Sequence, residues 1–139
     1  MTRPPTETLA FEDVAAGDVL PSMVIDMDAT RIVAGAIASR DFMPVHHDRD
    51  YANHQGAPDI FMNILSDTGY SSRFLTDWAG PEAMVKHLAI RLGVPVFPGH
   101  TLTYEGSVTG TRVEDGAGLV DVEFRAVGAS ASTAYPVTL

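Results

Sequence analysis

Residues 59–75 read DIFMNILSDTGYSSRFL, and the fold turns on what they form. Asp59 follows Pro58 as a candidate N-cap, and residues 77–81 (DWAGP) supply a stop, so the spacing predicts one long helix between them. Near its start this helix is apolar over much of its circumference, through Ile60, Phe61, Met62, Ile64 and Leu65. A helix of that kind has to be buried, and a sheet wrapped around it provides the cover. Gly69 in its interior costs about 1 kcal/mol of helix propensity, which predicts tight packing at that point.

The flanks supply the sheet. Downstream, residues 84–97, 101–114 and 119–127 read as strands, with a last segment at 133–139. Pro98-Gly99, the stretch 114–118 (EDGAG) and Gly128 separate them at intervals short enough for antiparallel neighbours. Leu102, Tyr104, Gly106 and Val108 share one parity against Thr103, Glu105, Ser107 and Thr109, the signature of a half-buried strand. Upstream, residues 18–27 (DVLPSMVIDM), broken by Pro21, read as an edge or entry strand. A short helix over 31–39 follows, with Asp28 and Thr30 as candidate caps and Ile32, Val33, Ala36 and Ile37 on one face. Residues 40–58, with Pro44, three histidines, Gly56 and Pro58, read as an extended loop. The order is strand, short helix, loop, long buried helix and a run of antiparallel strands. That is an α+β layout, a single hotdog fold with an antiparallel sheet wrapped around a long central helix. The architecture hosts thioesterases as well as dehydratases, so function has to come from the site.

At 139 residues and 45% hydrophobic, the chain supports one domain, read as 1–139 with 1–12 as a flexible arm. Without cysteine, a disulfide framework, a thiolate metal site and a cysteine nucleophile are all excluded. The start lacks the basic cluster and apolar run of a secretory signal, and no stretch has membrane-spanning length, so a cytoplasmic protein without a membrane partner is expected. A formal charge of -9 has the wrong sign for nucleic acid. Lys86 is the single lysine beside eight arginines, so an anionic ligand such as coenzyme A would be held by a few local arginines.

The chemistry concentrates in Asp41-Phe42-Met43-Pro44-Val45-His46-His47-Asp48. Asp41 ends a helix and Pro44 turns the chain, so Asp41 and His46 can face one cleft. A carboxylate and an imidazole on one water form a general acid–base pair. Hydration of an α,β-unsaturated thioester needs such a pair, plus donors for the enolate-like oxygen, which a buried helix N-terminus can supply. On spacing alone, a hydrogen bond that merely orders the loop also accounts for the two residues. His46 and Asp48 would suit a metal, but no further cluster supplies a third ligand. His54, His87 and His100 are scattered singly and read as loop or packing residues.

Asp41 to Asp48 resembles the signature of the MaoC-like, R-specific enoyl-CoA hydratases, in which an Asp, a Pro, an aliphatic residue and a catalytic His recur in that order. The stretches SRDFMPVHHDRDYA, PDIFMNILSDTGYSSRFLTDWAGPEA and IRLGVPVF, spanning about 39–97, are similar to one branch. Its members are small subunits of actinobacterial steroid side-chain enoyl-CoA hydratases. The resemblance implies Asp41 and His46 as the catalytic pair and Met62 as the backbone N–H donor to the thioester oxygen. In the wider family a His-Gly pair opens the central helix, and here Phe61 and Met62 align with it. The Asn that usually precedes the Pro is replaced by Met43. Phe61, Arg40, Arg49, Arg73 and Arg91 are candidates for substrate or CoA contacts. The resemblance further implies an acyl-CoA substrate, no metal or other cofactor, and a second MaoC-like subunit in a heterodimer or heterotetramer, failing which a homodimer. The expected activity is hydration of a bulky steroid side-chain enoyl-CoA. A homodimeric hydratase of fatty enoyl-CoA and a non-catalytic supporting subunit are the alternatives.

Overall fold

The computed structural model describes residues 6–128 together with the short strands at 132–133 and 137–138. β1 (Met23–Asp26), β2 (Thr101–Glu114) and β3 (Ala117–Val127) form the antiparallel centre of the sheet, in the order β1-β2-β3. β4 (Ser132–Thr133) and β5 (Val137–Thr138) both pair with β3. The rest of the segment expected at 133–139, and residues 1–5 of the expected arm, lie outside the described residues.

The β2–β3 hairpin follows directly from its sequence. Asp115 and Gly116 both take positive φ, 51° and 78°, and leave Glu114 paired with Ala117. This is the two-residue connection whose twist matches the flanking strands, and Asp-Gly is its preferred chemistry. A register shift at Val108/Gly110 leaves Thr109 as an extra residue on β2. As the parity predicts, Leu102, Tyr104 and Val108 face the core, joined from β3 by Val120, Val122, Phe124 and Ala126.

The long helix, introduced here with the two before it as α3 (Ile64–Ala79), lies on that apolar face. Phe74 packs between Tyr104 and Phe124 at ring-centroid distances of 5.7 and 5.9 Å. Gly106 permits this approach, since a Cβ there would come within 2.8 Å of Phe124 Cβ and 3.2 Å of Phe74 Cε1. α1 (Ala29–Ala38) is capped by Asp28, whose carboxylate accepts the Arg31 N–H at 2.7 Å. It buries Ile32 and Ala36, while Ile37 is exposed.

Several expectations are corrected. α3 begins at Ile64, five residues after Asp59, with Asn63 as its N-cap. Residues 60–62 are extended because Ile60 and Met62 reach the core while Phe61 points aside. The stop at 77–81 holds, with Gly80 at φ 102° as the C-cap. Gly69 has open space where a Cβ would lie, and the close approach falls instead at Gly35, which abuts Ser66. The expected loop 40–58 contains a 3-10 turn at Pro44–His46 and α2 (Arg49–His54), capped by Asp48 accepting from Tyr51 N–H at 3.0 Å. Residues 84–97 form no continuous strand, only single bridge positions at His87 and Ile90. Gly93 and Pro95 break the ladder there. The N-terminal arm is docked from Thr8 onward. Leu9 N–H donates to Ala79 O at 2.8 Å, Glu82 N–H donates to Thr8 Oγ1 at 2.9 Å, and Phe11 packs on Gly118.

Candidate active site

Three local devices bring the site together. The first is the end of α1. Arg40 adopts φ 59°, its N–H donates to Ile37 O at 3.0 Å, and Asp41 N–H reaches back to Ala36 O at 2.9 Å. This 6→1 and 5→2 pair is a Schellman ending with a non-glycine residue at its left-handed position. It fixes the backbone of Asp41 at the close of the helix.

The second device is the extended strap 60–62, the stretch the sequence assigned to the helix. Phe61 N–H donates to Val45 O at 3.3 Å, and Phe61 O lies 2.7 Å from His46 Nδ1. A carbonyl only accepts, so Nδ1 carries a proton toward Phe61 O and Nε2 is the nitrogen facing Asp41. Phe61 also meets the imidazole edge-on, with ring centroids 5.1 Å apart. His46 is buried at 7% exposure, and its Nε2 lies 3.4 Å from Asp41 Oδ2. The strap's other side is tied by Met62 N–H donating to Val96 O at 2.9 Å.

The third device is the N-cap of α3. Asn63, 1% exposed, accepts the Ser66 N–H on Oδ1 at 3.1 Å. Its Nδ2 donates to Ser39 Oγ at 2.8 Å and to Asp41 Oδ2 at 3.1 Å. The Asn63 amide is the main influence holding the Asp41 carboxyl below the usual carboxylate range, with the Met43 N–H and His46 adding to it against a smaller opposing effect of burial. Asp41 is therefore a carboxylate at neutral pH, beside the Nε2 of His46.

Asp41 and His46 open into a cavity of about 330 Å³ whose lining includes Phe61, Met62, Ile64 and the segment 92–96. The Met62 N–H expected to meet a thioester oxygen donates to Val96 O in this structure. The Ile64 N–H, first of α3, meets no acceptor among the described residues. None of the four candidate arginines lines this cavity. Arg49 pairs with Asp59 at 2.8 Å and Arg73 with Asp77 at 3.1 Å, while Arg40, just beyond the end of α1, and Arg91 are exposed. Sequence reasoning missed Asn63 and Asp67, which also lines the cavity. Asn63 could have been found as an N-cap residue followed by Ser66 and Asp67 in the first turn.

The profile of the MaoC like domain matches residues 14–129. The chain belongs to the MaoC-like domain family. This MaoC-like domain is 53% identical over 100 residues to the 3-oxo-4,17-pregnadiene-20-carboxyl-CoA hydratase beta subunit of Mycobacterium tuberculosis (strain ATCC 25618 / H37Rv). The match covers 72% of this chain and 76% of that subunit. A chain in the crystal structure of the ChsH1-ChsH2 complex from Mycobacterium tuberculosis superposes with a TM-score of 0.81 at 45% identity, over 89% of this chain and 95% of that one. The (R)-hydratase from A. caviae involved in PHA biosynthesis superposes at 0.79 with 21% identity, over 91% of this chain and 96% of that one, which shows a shared hotdog fold. Among the described residues no helix is long and apolar enough to cross a membrane.

Proposed function

We propose that the chain is the catalytic subunit of a cytoplasmic enoyl-CoA hydratase acting on a bulky steroid side-chain enoyl-CoA, in a heteromeric complex with a second MaoC-like subunit. The observation that carries this reading is the convergence of the Asp41 carboxylate and the Nε2 of His46, 3.4 Å apart, on one cavity. The carboxylate and the imidazole are the two groups placed to accept a proton from a water in that cavity. As the water oxygen attacks the β-carbon, one acceptor takes a proton and electron density moves onto the thioester oxygen. Return of that proton to the α-carbon completes the addition, and the pair is regenerated. The first turn of α3, with the Ile64 N–H, offers positive potential to the thioester oxygen.

Substrate class and assembly rest on the identity to the mycobacterial beta subunit and on the open apolar wall of the site. Ile64, Leu92 and Val94 line the cavity and are 54%, 46% and 52% exposed in the single chain. Apolar surface of this kind beside a catalytic pair is covered by a large acyl group, a second subunit, or both.

The test is hydration of 3-oxo-4,17-pregnadiene-20-carboxyl-CoA and of crotonyl-CoA, followed by loss of the enoyl absorbance, by the chain alone and mixed with a co-encoded MaoC-like subunit. Steroid turnover confined to the mixture is the expected result. Turnover of crotonyl-CoA by the chain alone, with none of the steroid thioester under any mixture, would overturn both the substrate class and the assembly.

A further inference from the structure

The catalytic cavity holds a second carboxyl group that the hydration chemistry above does not use. Asp67 lies four residues beyond Asn63, one turn along α3, so the two residues share a helix face. Its side chain lines the cavity that Asp41 and His46 open into. Among the described residues its carboxyl has no hydrogen-bond or ion-pair partner. Partly buried polar groups normally find partners within the protein or in solvent, so one left without any in an apolar-walled cavity points to a partner that arrives with the ligand.

The chemistry of the substrate narrows what that partner is. With the β-carbon placed at the Asp41–His46 pair, the acyl group around the double bond is hydrocarbon. Apart from the attacking water, the acceptor at that end of the molecule is the thioester oxygen, where negative charge builds as water adds. The backbone donor suggested by resemblance, Met62 N–H, is occupied by Val96 O. We propose that Asp67 is a further catalytic residue, whose carboxyl O–H donates a hydrogen bond to the thioester oxygen of the enoyl-CoA during hydration.

Asp67 keeps its proton throughout, and the water still supplies both the hydroxyl and the hydrogen added. Loss of hydration pushes the Asp67 carboxyl up to about 7, so the donor form is well populated at neutral pH. A carboxylic acid held neutral by an apolar site is an effective donor to an enolate oxygen. The titratable groups near it are Asp41 and His46, which line the same cavity, and Tyr104 from β2. No lysine or arginine lines the cavity to hold Asp67 as a carboxylate.

This inference rests on the hydratase reading, and the experiment separates the two. The complex carrying Asp67→Leu or Asp67→Asn is assayed with the steroid enoyl-CoA across pH, beside the unsubstituted complex, with thermal melts to establish folding. Asp67→Leu is expected to lower kcat by about 10²–10³-fold while changing KM by less than about threefold. Asp67→Asn retains an N–H donor, so its kcat stays within about tenfold of the unsubstituted complex. It also loses the decline in kcat that the unsubstituted complex shows as pH rises through about 7. Turnover by Asp67→Leu close to that of the unsubstituted complex overturns the proposal. So does an alkaline decline that persists in Asp67→Asn, or an equal loss of kcat in both variants. Absence of hydration by the unsubstituted complex removes the underlying reading and this inference with it, whereas normal hydration by every variant removes this inference alone.

Discussion

Replacing Asn63 by alanine separates the support of the site from its chemistry. The side chain caps α3 through Ser66 N–H and donates to Ser39 Oγ, and neither bond has a substitute in the variant. Loss of an Asn cap costs about 1 kcal/mol and loss of one neutral hydrogen bond about 1 kcal/mol more, about 2 kcal/mol together. For a chain of 139 residues, an unfolding entropy of about 2.1 cal/mol/K per residue makes this a fall in Tm of about 7 °C. The bond to Asp41 is read in activity. Without it the carboxylate loses its main orienting partner, and kcat should fall about 10²-fold, the scale of a misplaced reacting group. Because Asn63 is the largest influence lowering the Asp41 pKa, the acid limb of kcat/KM should move to higher pH in the variant. The sign for stability agrees: a depressed carboxyl stabilises the fold above its unfolded pKa, and that contribution is lost as pH falls through the folded one. The gap in Tm between the two proteins should therefore narrow in acid. Asn63→Asp is the informative control, since Asp caps a helix as well as Asn but sets a carboxylate against Asp41. It should lower Tm as well, because the donation to Ser39 Oγ is lost and two carboxylates meet at a buried position, and it should move the acid limb further. Circular dichroism melts and a pH profile of steroid enoyl-CoA hydration give both readouts, and an Asn63→Ala complex with unaltered kcat and an unmoved acid limb would refute the reasoning.

Asp41→Asn and His46→Ala should each reduce hydration by about 10²–10⁴-fold, whereas His47→Ala, altering an exposed neighbour, should stay near full activity in the same assay. Gly80→Ala places a Cβ onto the Glu7–Thr8 backbone at φ 102° and should destabilise by about 1–3 kcal/mol; accelerated proteolysis near residue 9 would show the arm released. Phe74→Ala empties the contact between α3 and the strands at a residue 2% exposed, and should cost about 3–5 kcal/mol in urea unfolding. Asp67→Leu should raise Tm above neutral pH, because a carboxyl with a raised pKa adds stability that is present in acid and lost as pH rises through about 7; equal melting gains at pH 5 and pH 8 would contradict this.

The convergence of Asp41 and His46 was legible because its determinants are local. Asp41, Pro44 and His46 lie within six residues, and the turn between them follows from the proline. The β2–β3 hairpin was legible for the same reason, through Asp115-Gly116 and the alternation that follows β2. The start of α3 was not. Ile60, Phe61 and Met62 form a short apolar run, and such a run fits a helix or an extended segment equally well. Asp59 and Asn63 are equally competent caps by residue type. What selects the extended form is tertiary: Val45 O and His46 Nδ1 on one side of the strap and Val96 O on the other. Those partners are 15 or more positions away in sequence. Asp59 is meanwhile drawn off by Arg49. The same misplacement hid Asn63, because a helix started at Asp59 puts it in the interior rather than at a terminus.

The site divides its tasks between segments. Asp41 is held by the end of α1, His46 by the strap, and their relation to each other by the cap of α3. All of these are backbone or buried contacts that leave little freedom to the reacting groups. The opposite wall, residues 92–96, contributes apolar side chains and only the Val96 carbonyl to this network. Leu92 and Val94 are about half exposed there and make no bond to the pair's supports. The wall can therefore change shape to suit a different acyl group while the water-activating geometry stays fixed. This division fits the proposed hydratase, in which this subunit would supply the chemistry and a neighbour complete the acyl pocket: the surface open to exchange is the one that the contacts of Asp41 and His46 do not use.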